Sequence, residues 1–205
     1  MAVNNNVWNR IRYTVISPVY DSFVKFGRQR RRSAELLDIQ PGEKVLILGA
    51  GTGADLPFLP EHAEITAVDI TPAMLERLRS RAAGLGRRVD ARVMDGQALD
   101  LPEGQFDVVI LHLILAVIPD PIACIREAER VLRPGGRAVI FDKFLADGDR
   151  PSLGRHLLNM VANFVATNIN RQLGPILGAT ALQVEHQEPA GWGGVLQTVV
   201  VRKLG

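Results

Sequence analysis

Gly49, Gly51 and Gly53 stand in VLILGAGTGADLP, directly after an apolar run. Glycines at that spacing let the backbone turn tightly and come close to a ligand. The free N–H groups of a following helix would face the same space. Asp69 ends the next apolar run, 20 residues after Gly49, where a carboxylate accepts hydrogen bonds from the hydroxyls of a ribose. Asp95 follows a third run in VMDGQAL; at the same sheet edge it would accept from the 6-amino group of an adenine held by Asp69. Together the three features ask for an adenosine-bearing cofactor. Gly49-x-Gly51-x-x-Ala54 also fits the dinucleotide fingerprint, so on these residues alone NAD stays open. His112 ends a fourth apolar run, at the strand end where α/β proteins build their sites. It is the candidate general base, with a buried histidine held by one structural hydrogen bond as the equal alternative. His62, His156 and His186 lie outside these motifs, and the single cysteine, Cys124, allows no intrachain disulfide. Four scattered histidines and one cysteine give no metal-ligand spacing, so no metal is expected.

The elements that must carry these residues alternate. Lys44–Leu48, Glu64–Asp69, Val89–Met94, Phe106–His112 and Arg137–Asp142 read as strands, and Phe106–His112 is apolar enough to be buried on both faces. A short helix is expected after the glycine loop. Thr71 and Pro72 open a second helix as N-cap and first helical residue, running to about Ala83, and Pro121–Leu132 reads as another. Arg133–Gly136 is an expected turn. Strands alternating with helices predict a parallel α/β sheet. Beyond Asp142 the pattern changes to an apolar helix over 152–166, a second helix over 171–180, and an antiparallel pair, Leu182–Glu188 and Leu196–Lys203. Residues 1–205 are read as one domain, with a helical lid at 1–38 and a helical insertion at 143–180 before the last strand pair.

Composition fits a folded domain: 47% of the 205 residues are hydrophobic and 22% charged. No stretch reaches the roughly 18 apolar residues of a membrane span. The opening MAVNNNVWNR lacks the apolar core of a signal peptide, so a cytoplasmic protein is expected. Net charge is +2, yet residues 1–38 carry seven basic and three acidic side chains. Trp8, Ile11, Val15 and Ile16 beside Arg10 and Arg12, followed by Arg28, Arg30, Arg31 and Arg32, suit either a membrane-surface contact through residues 1–32 or a lid with solvated arginines.

VLILGAGTG, AVDITPAMLERLR, VMDGQALDLPEGQFDVVILH and EAERVLRPGGRAVIFD resemble, in order, the motifs of class I S-adenosylmethionine-dependent methyltransferases. The resemblance spans about residues 20–142. It implies an α/β, Rossmann-like, seven-stranded and mainly parallel sheet with an antiparallel last strand and helices on both faces. It implies S-adenosyl-L-methionine as cofactor: Gly49, Ala50 and Gly51 cradle its methionine and ribose parts, Asp69 takes the ribose diol, Ile70 and Met74 sandwich the adenine, and Asp95 with Gly96 and Gln97 reads the amino edge. The backbone at His112 would pass under the sulfonium. Tyr20-Asp21, GTGADLPFLP and LHLILAVIPDP resemble the ubiquinone/menaquinone C-methyltransferase and bacterial phospholipid N-methyltransferase branch, in which such a tyrosine lies over the cofactor. Tyr20 is accordingly a cofactor and acceptor contact, or else a core tyrosine. The family's usual acid two residues before the first glycine is Ile47 here, and Asp55 is the candidate to supply that charge at the cofactor's amino end.

Transfer of this kind needs an acceptor placed in line with the departing sulfur, and no metal. An oxygen or carbon acid needs a base, whereas a neutral amine or thiolate does not. The expected partner is a small-molecule or lipid substrate. A nucleic acid is not expected, because no Asp/Asn-Pro-Pro-Tyr-type motif for a flipped base is present. An NAD-dependent oxidoreductase would need a second nucleotide-binding half and would leave Asp95 without a role. A non-catalytic cofactor binder is favoured only by Ile47.

Overall fold

A computed structural model of the chain describes residues 26–145 and 170–205. Tyr20, most of the expected lid, His156 and the apolar helix around Leu157, Val161 and Phe164 lie outside the described residues.

The chain enters through α1 (Gly27–Leu37) and passes by the Pro41-Gly42 turn into β1 (Lys44–Leu48). Then come β2 (Glu64–Asp69), α2 (Pro72–Gly84), β3 (Val89–Val93), β4 (Phe106–His112), α3 (Pro121–Val131), β5 (Leu132–Lys143), α4 (Leu173–Leu177), β6 (Gln183–Gly191) and β7 (Leu196–Arg202). They form one seven-stranded sheet ordered β3-β2-β1-β4-β5-β7-β6. The first five strands are mutually parallel, and β7 runs antiparallel to both neighbours.

Side-chain alternation along the strands sorts the core into two layers. Val45 and Ile47 face α1 and α2 together with Leu37, Leu75 and Leu78. Leu46 and Leu48 face α3 and α4 together with Ile125, Ala128 and Ile176. Both layers are fully buried at β4, where Val108, Val109, Ile110 and Leu111 are at most 1% exposed, which is why that strand reads as unbroken hydrophobicity.

Local chemistry sets the boundaries. α3 starts where Asp120 accepts from the N–H groups of Ile122 and Ala123, with Pro121 at the first helical position. Thr71 is the N-cap of α2, but its hydroxyl makes no cap bond; the Thr71 N–H is taken by Asp69 instead. The expected helix after the glycine loop is a single 3₁₀ turn, Leu56–Phe58. Arg133–Gly136 is an irregularity within β5, the register passing from Phe106↔Leu132 to Val108↔Arg137. α4 is shorter than the expected 171–180, starting after Gln172 and ending at Gly178. Among the described residues no helix is long and apolar enough to cross a membrane.

Chain order reverses between β1 and β4, the sheet's switch point. Ligands of open α/β sheets bind in the crevice beyond the strand ends there.

Candidate active site

That crevice is a cleft with about 720 Å³ of open space, solvent at its mouth included. The glycine loop forms its floor. Gly49 (φ +74) brings the chain so close that a Cβ there would lie 2.5 Å from Ile114 Cδ1. Asp69, half-buried, ties the loop to β2: Oδ2 accepts the Gly51 N–H at 2.9 Å and Oδ1 the Thr71 N–H at 2.8 Å. Burial pushes the Asp69 carboxyl above its ordinary value against the lowering effect of those donors. A carboxylate has about four acceptor sites, so capacity remains for hydroxyl donors in the cleft that Asp69 lines.

Ile70 and Met74 line the cleft next to Asp69, and Asp95 and Gly96 line it beyond the end of β3. Gln97 does not line it. Its side-chain amide donates to Asp95, and its carbonyl accepts the Asp120 N–H, so Gln97 braces Asp95 against the start of α3. Ala50 is likewise buried away from the cleft, in the α1/α2 layer. The opposite wall is apolar and comes from the exit of β4: Leu113, Ile114, Val117 and Ile118. Leu113 adopts φ +60, a conformation branched side chains resist, and it turns the chain across the cleft immediately after His112.

The loop's polar groups argue against a pyrophosphate. The N–H groups of Gly49 and Ala50 both donate to the Val68 carbonyl at 2.9 Å, and Gly53 donates to Ala50. With Gly51 committed to Asp69 and only a 3₁₀ turn following, the loop offers no α-helix N-terminus for a diphosphate. A cofactor with a ribose, an adenine and no phosphate fits these residues: carboxylates at both ends, apolar side chains between, and close backbone at Gly49 and Gly51.

His112 lines the cleft with only 7% of its surface exposed. Its Nδ1 lies 2.6 Å from Asp55 Oδ1, and Arg30 Nη1 lies 2.5 Å from the same oxygen. Burial works to raise the Asp55 carboxyl, but the charge of Arg30 and the hydrogen bonds from His112 and Arg30 outweigh it and hold it well below the ordinary carboxylate range. An ionised carboxylate only accepts, so Nδ1 carries the proton, and in the neutral ring Nε2 is a bare acceptor. Nε2 is buried and has no hydrogen-bond partner among the described residues.

Two expectations change here. Asp55 does not face the cleft to serve a cofactor's amino end; it is buried beneath His112, neutralised by Arg30. Arg30 in turn leaves the solvated arginine face, because Arg30, Ser33 and Leu37 form the buried stripe of α1. That i, i+3, i+7 spacing was the available signal for it. Sequence reasoning also missed the brace beneath the apolar wall. Asp142, fully buried, accepts the Ala116 N–H at 2.9 Å. Arg171 donates to the carbonyls of Leu115, Ile118 and Pro119. Burial raises the one and lowers the other from their ordinary pKa values. Cys124 is buried with its thiol pushed up by burial, a core residue as expected. His62 contacts the Ile39 carbonyl and His186 pairs with Glu188, both away from the cleft.

Residues 46–140 match the family model described as a methyltransferase domain. The chain is 30% identical to a phosphatidylethanolamine N-methyltransferase of Cereibacter sphaeroides over 181 residues, covering 86% of this chain and 89% of that protein. It is 31% identical to a demethylmenaquinone methyltransferase of Tropheryma whipplei, covering 72% of this chain but 63% of that protein. Two solved structures share the fold. The [4+2]-cyclase SpnF superposes with a TM-score of 0.72 at 19% identity, over 87% of this chain and 82% of that one. A geranyl diphosphate C-methyltransferase from Streptomyces coelicolor superposes with 0.72 at 15% identity, over 86% and 76%.

Proposed function

The chain belongs to the S-adenosylmethionine-dependent methyltransferase family, and on that premise we propose that its acceptor is a lipid that loses a proton as it reacts, a hydroquinone-type quinone precursor before others. S-adenosyl-L-methionine supplies a methyl group on a sulfonium, already activated, with a neutral thioether as leaving group. The chain's own residues then bind, orient and accept a proton. Asp69 accepts the ribose hydroxyls, Ile70 and Met74 flank the adenine, and Asp95, braced by Gln97, accepts from the adenine amino group. Gly49 and Gly51 let the backbone approach. His112 Nε2 accepts the proton of the acceptor's oxygen or carbon acid while the electron pair left behind takes up the methyl group, giving an imidazolium held by Asp55. Tyr20, the further cofactor and acceptor contact that the family resemblance implies, lies outside the described residues.

The observation that carries this reading is that His112 lines the cleft while its buried Nε2 has no hydrogen-bond partner among the described residues, a group an acceptor without a removable proton would leave idle. A second reading, N-methylation of phosphatidylethanolamine, is favoured by the relative matched over 89% of its length. A lipid acceptor also calls for contact with a membrane surface, for which residues 1–32 are the proposed segment; Arg28 and Arg31 are exposed on α1. The test is transfer of label from methyl-labelled S-adenosylmethionine to a prenylated hydroquinone, phosphatidylethanolamine vesicles and a small soluble thiol, run in parallel. Label on the hydroquinone is the expected result, label on phosphatidylethanolamine alone establishes the second reading, and label on the thiol alone overturns both.

A further inference from the structure

We propose that Asp55 and Arg30 are positioning residues for methyl transfer, a buried pair that fixes the tautomer and orientation of His112 and so aims the Nε2 lone pair at the acceptor. The inference rests on the reading of His112 as proton acceptor but concerns residues that do not line the cleft.

A neutral imidazole free in water favours the tautomer with its proton on Nε2, which would present a donor, not an acceptor, to the cleft. The ring needs a hydrogen-bond acceptor at Nδ1 to reverse that choice. Asp55 Oδ1 supplies it at 2.6 Å. A lone buried carboxylate would meet its desolvation cost by taking up a proton itself, and a protonated carboxyl could donate to Nδ1 and enforce the wrong tautomer. Arg30 prevents this, its Nη1 lying 2.5 Å from the same oxygen, with both side chains almost fully buried. The three groups come from separate parts of the chain: α1, the segment after the glycine loop, and the end of β4. Each is held independently. Arg30 sits on the buried stripe of α1 with Ser33 and Leu37. The residues after Asp55 are clamped by Arg87, which donates to the carbonyls of Leu56, Leu59 and Pro60. The His112 ring packs edge-on against Phe141 at 5.7 Å. A pair serving only to fill the core would have no reason to share one oxygen with a histidine that lines the cleft and whose other nitrogen is buried without a partner among the described residues.

When His112 takes the acceptor's proton, the cation forms next to an existing carboxylate, and no charge has to be created in isolation. The proton leaves Nε2 for water after product release, restoring the ring.

The test separates a positioning role from a packing role. In Arg30→Met/Asp55→Leu both members of the ion pair are replaced by apolar groups of similar size, a change buried pairs often tolerate without loss of stability. Nitrogen NMR of the histidine-labelled full chain, without cofactor, reads the tautomer directly. The wild type is expected to show His112 protonated at Nδ1 and bare at Nε2, and the double variant to show the reverse. With the hydroquinone acceptor, kcat should fall about 100-fold, the size of a lost general base, while KM for the acceptor and the affinity for S-adenosylhomocysteine stay within about twofold. If the double variant does not fold, Arg30→Met, which leaves Asp55 without its cation so that it takes up a proton, should give the same split. A variant that keeps the Nδ1-protonated ring, or turns over at the wild-type rate, overturns the proposal. A wild type that shows the expected tautomer yet methylates only a thiol refutes the acceptor reading and leaves the positioning of the ring standing.

Discussion

Replacing Asp69 with alanine should weaken binding of S-adenosylmethionine and S-adenosylhomocysteine upwards of about 100-fold. Two hydroxyl-to-carboxylate hydrogen bonds at roughly 1.5–3 kcal/mol each amount to about 3–6 kcal/mol, and each 1.4 kcal/mol is about a factor of ten. Alanine is a better choice than asparagine. Both oxygens of Asp69 already accept backbone N–H groups, from Gly51 and Thr71, so an amide nitrogen would face a donor in either orientation. Alanine still leaves those two N–H groups without their acceptor, and part of the lost affinity will come from a loosened loop. A cycle with 2′-deoxy-S-adenosylhomocysteine separates the two parts. The wild type should lose affinity for the deoxy ligand, whereas Asp69→Ala should bind both ligands alike. Because the Asp69 carboxyl is raised and its ionised form accepts the hydroxyls, affinity should fall as pH drops through that raised value. Calorimetry showing wild-type affinity in Asp69→Ala, or an undiminished deoxy penalty there, would refute the assignment.

Gly49→Ala should cost more stability than Gly51→Ala in thermal melts. Both need a left-handed alanine at about 1–2 kcal/mol, but only Gly49 adds overlap with Ile114, worth about 1–3 kcal/mol more; the reverse order would contradict the loop geometry. Asp55 is held below its ordinary value, so the stability it contributes is present above about pH 4 and lost as pH falls further. Asp69 and Asp142, both raised, work in the opposite sense and are common to wild type and Arg30→Met/Asp55→Leu. The melting temperature of the wild type relative to that variant should therefore fall as pH drops below about 4, and a difference independent of pH would show that Asp55 is not ionised. Co-sedimentation with vesicles should require anionic lipid, weaken with salt and disappear on deletion of residues 1–16, whereas a protein that stays in the supernatant throughout has no such membrane contact.

Sheet and cofactor cleft were legible because each rests on local pattern. Short apolar runs mark β1, β2 and β4, and the family's motifs imply the sheet they share. Asp69 and Asp95 occupy strand ends whose place in the sheet is fixed by those runs. Arg30 and Asp55 were misread because pairing across 25 residues leaves no mark on a charge count, and an arginine among arginines reads as solvated. Ile47 becomes intelligible only in three dimensions. It is 1% exposed in the apolar layer that also holds Leu56 and Leu75, where an unpaired acid would be costly. The nearby acid, Asp55, has its own buried cation. The brace of Asp142 and Arg171 was hidden for the same reason, since its partners are backbone groups of a loop whose course the sequence does not specify.

Single-turnover methyl transfer, with cofactor and acceptor both saturating, tests the central claim most directly when wild type and His112→Ala are compared. The account expects the rate of the variant to fall about 100-fold while S-adenosylhomocysteine binds within about twofold of wild type, because Nε2 accepts the acceptor's proton and Asp69 and Asp95 hold the cofactor. An unchanged single-turnover rate in His112→Ala would contradict it.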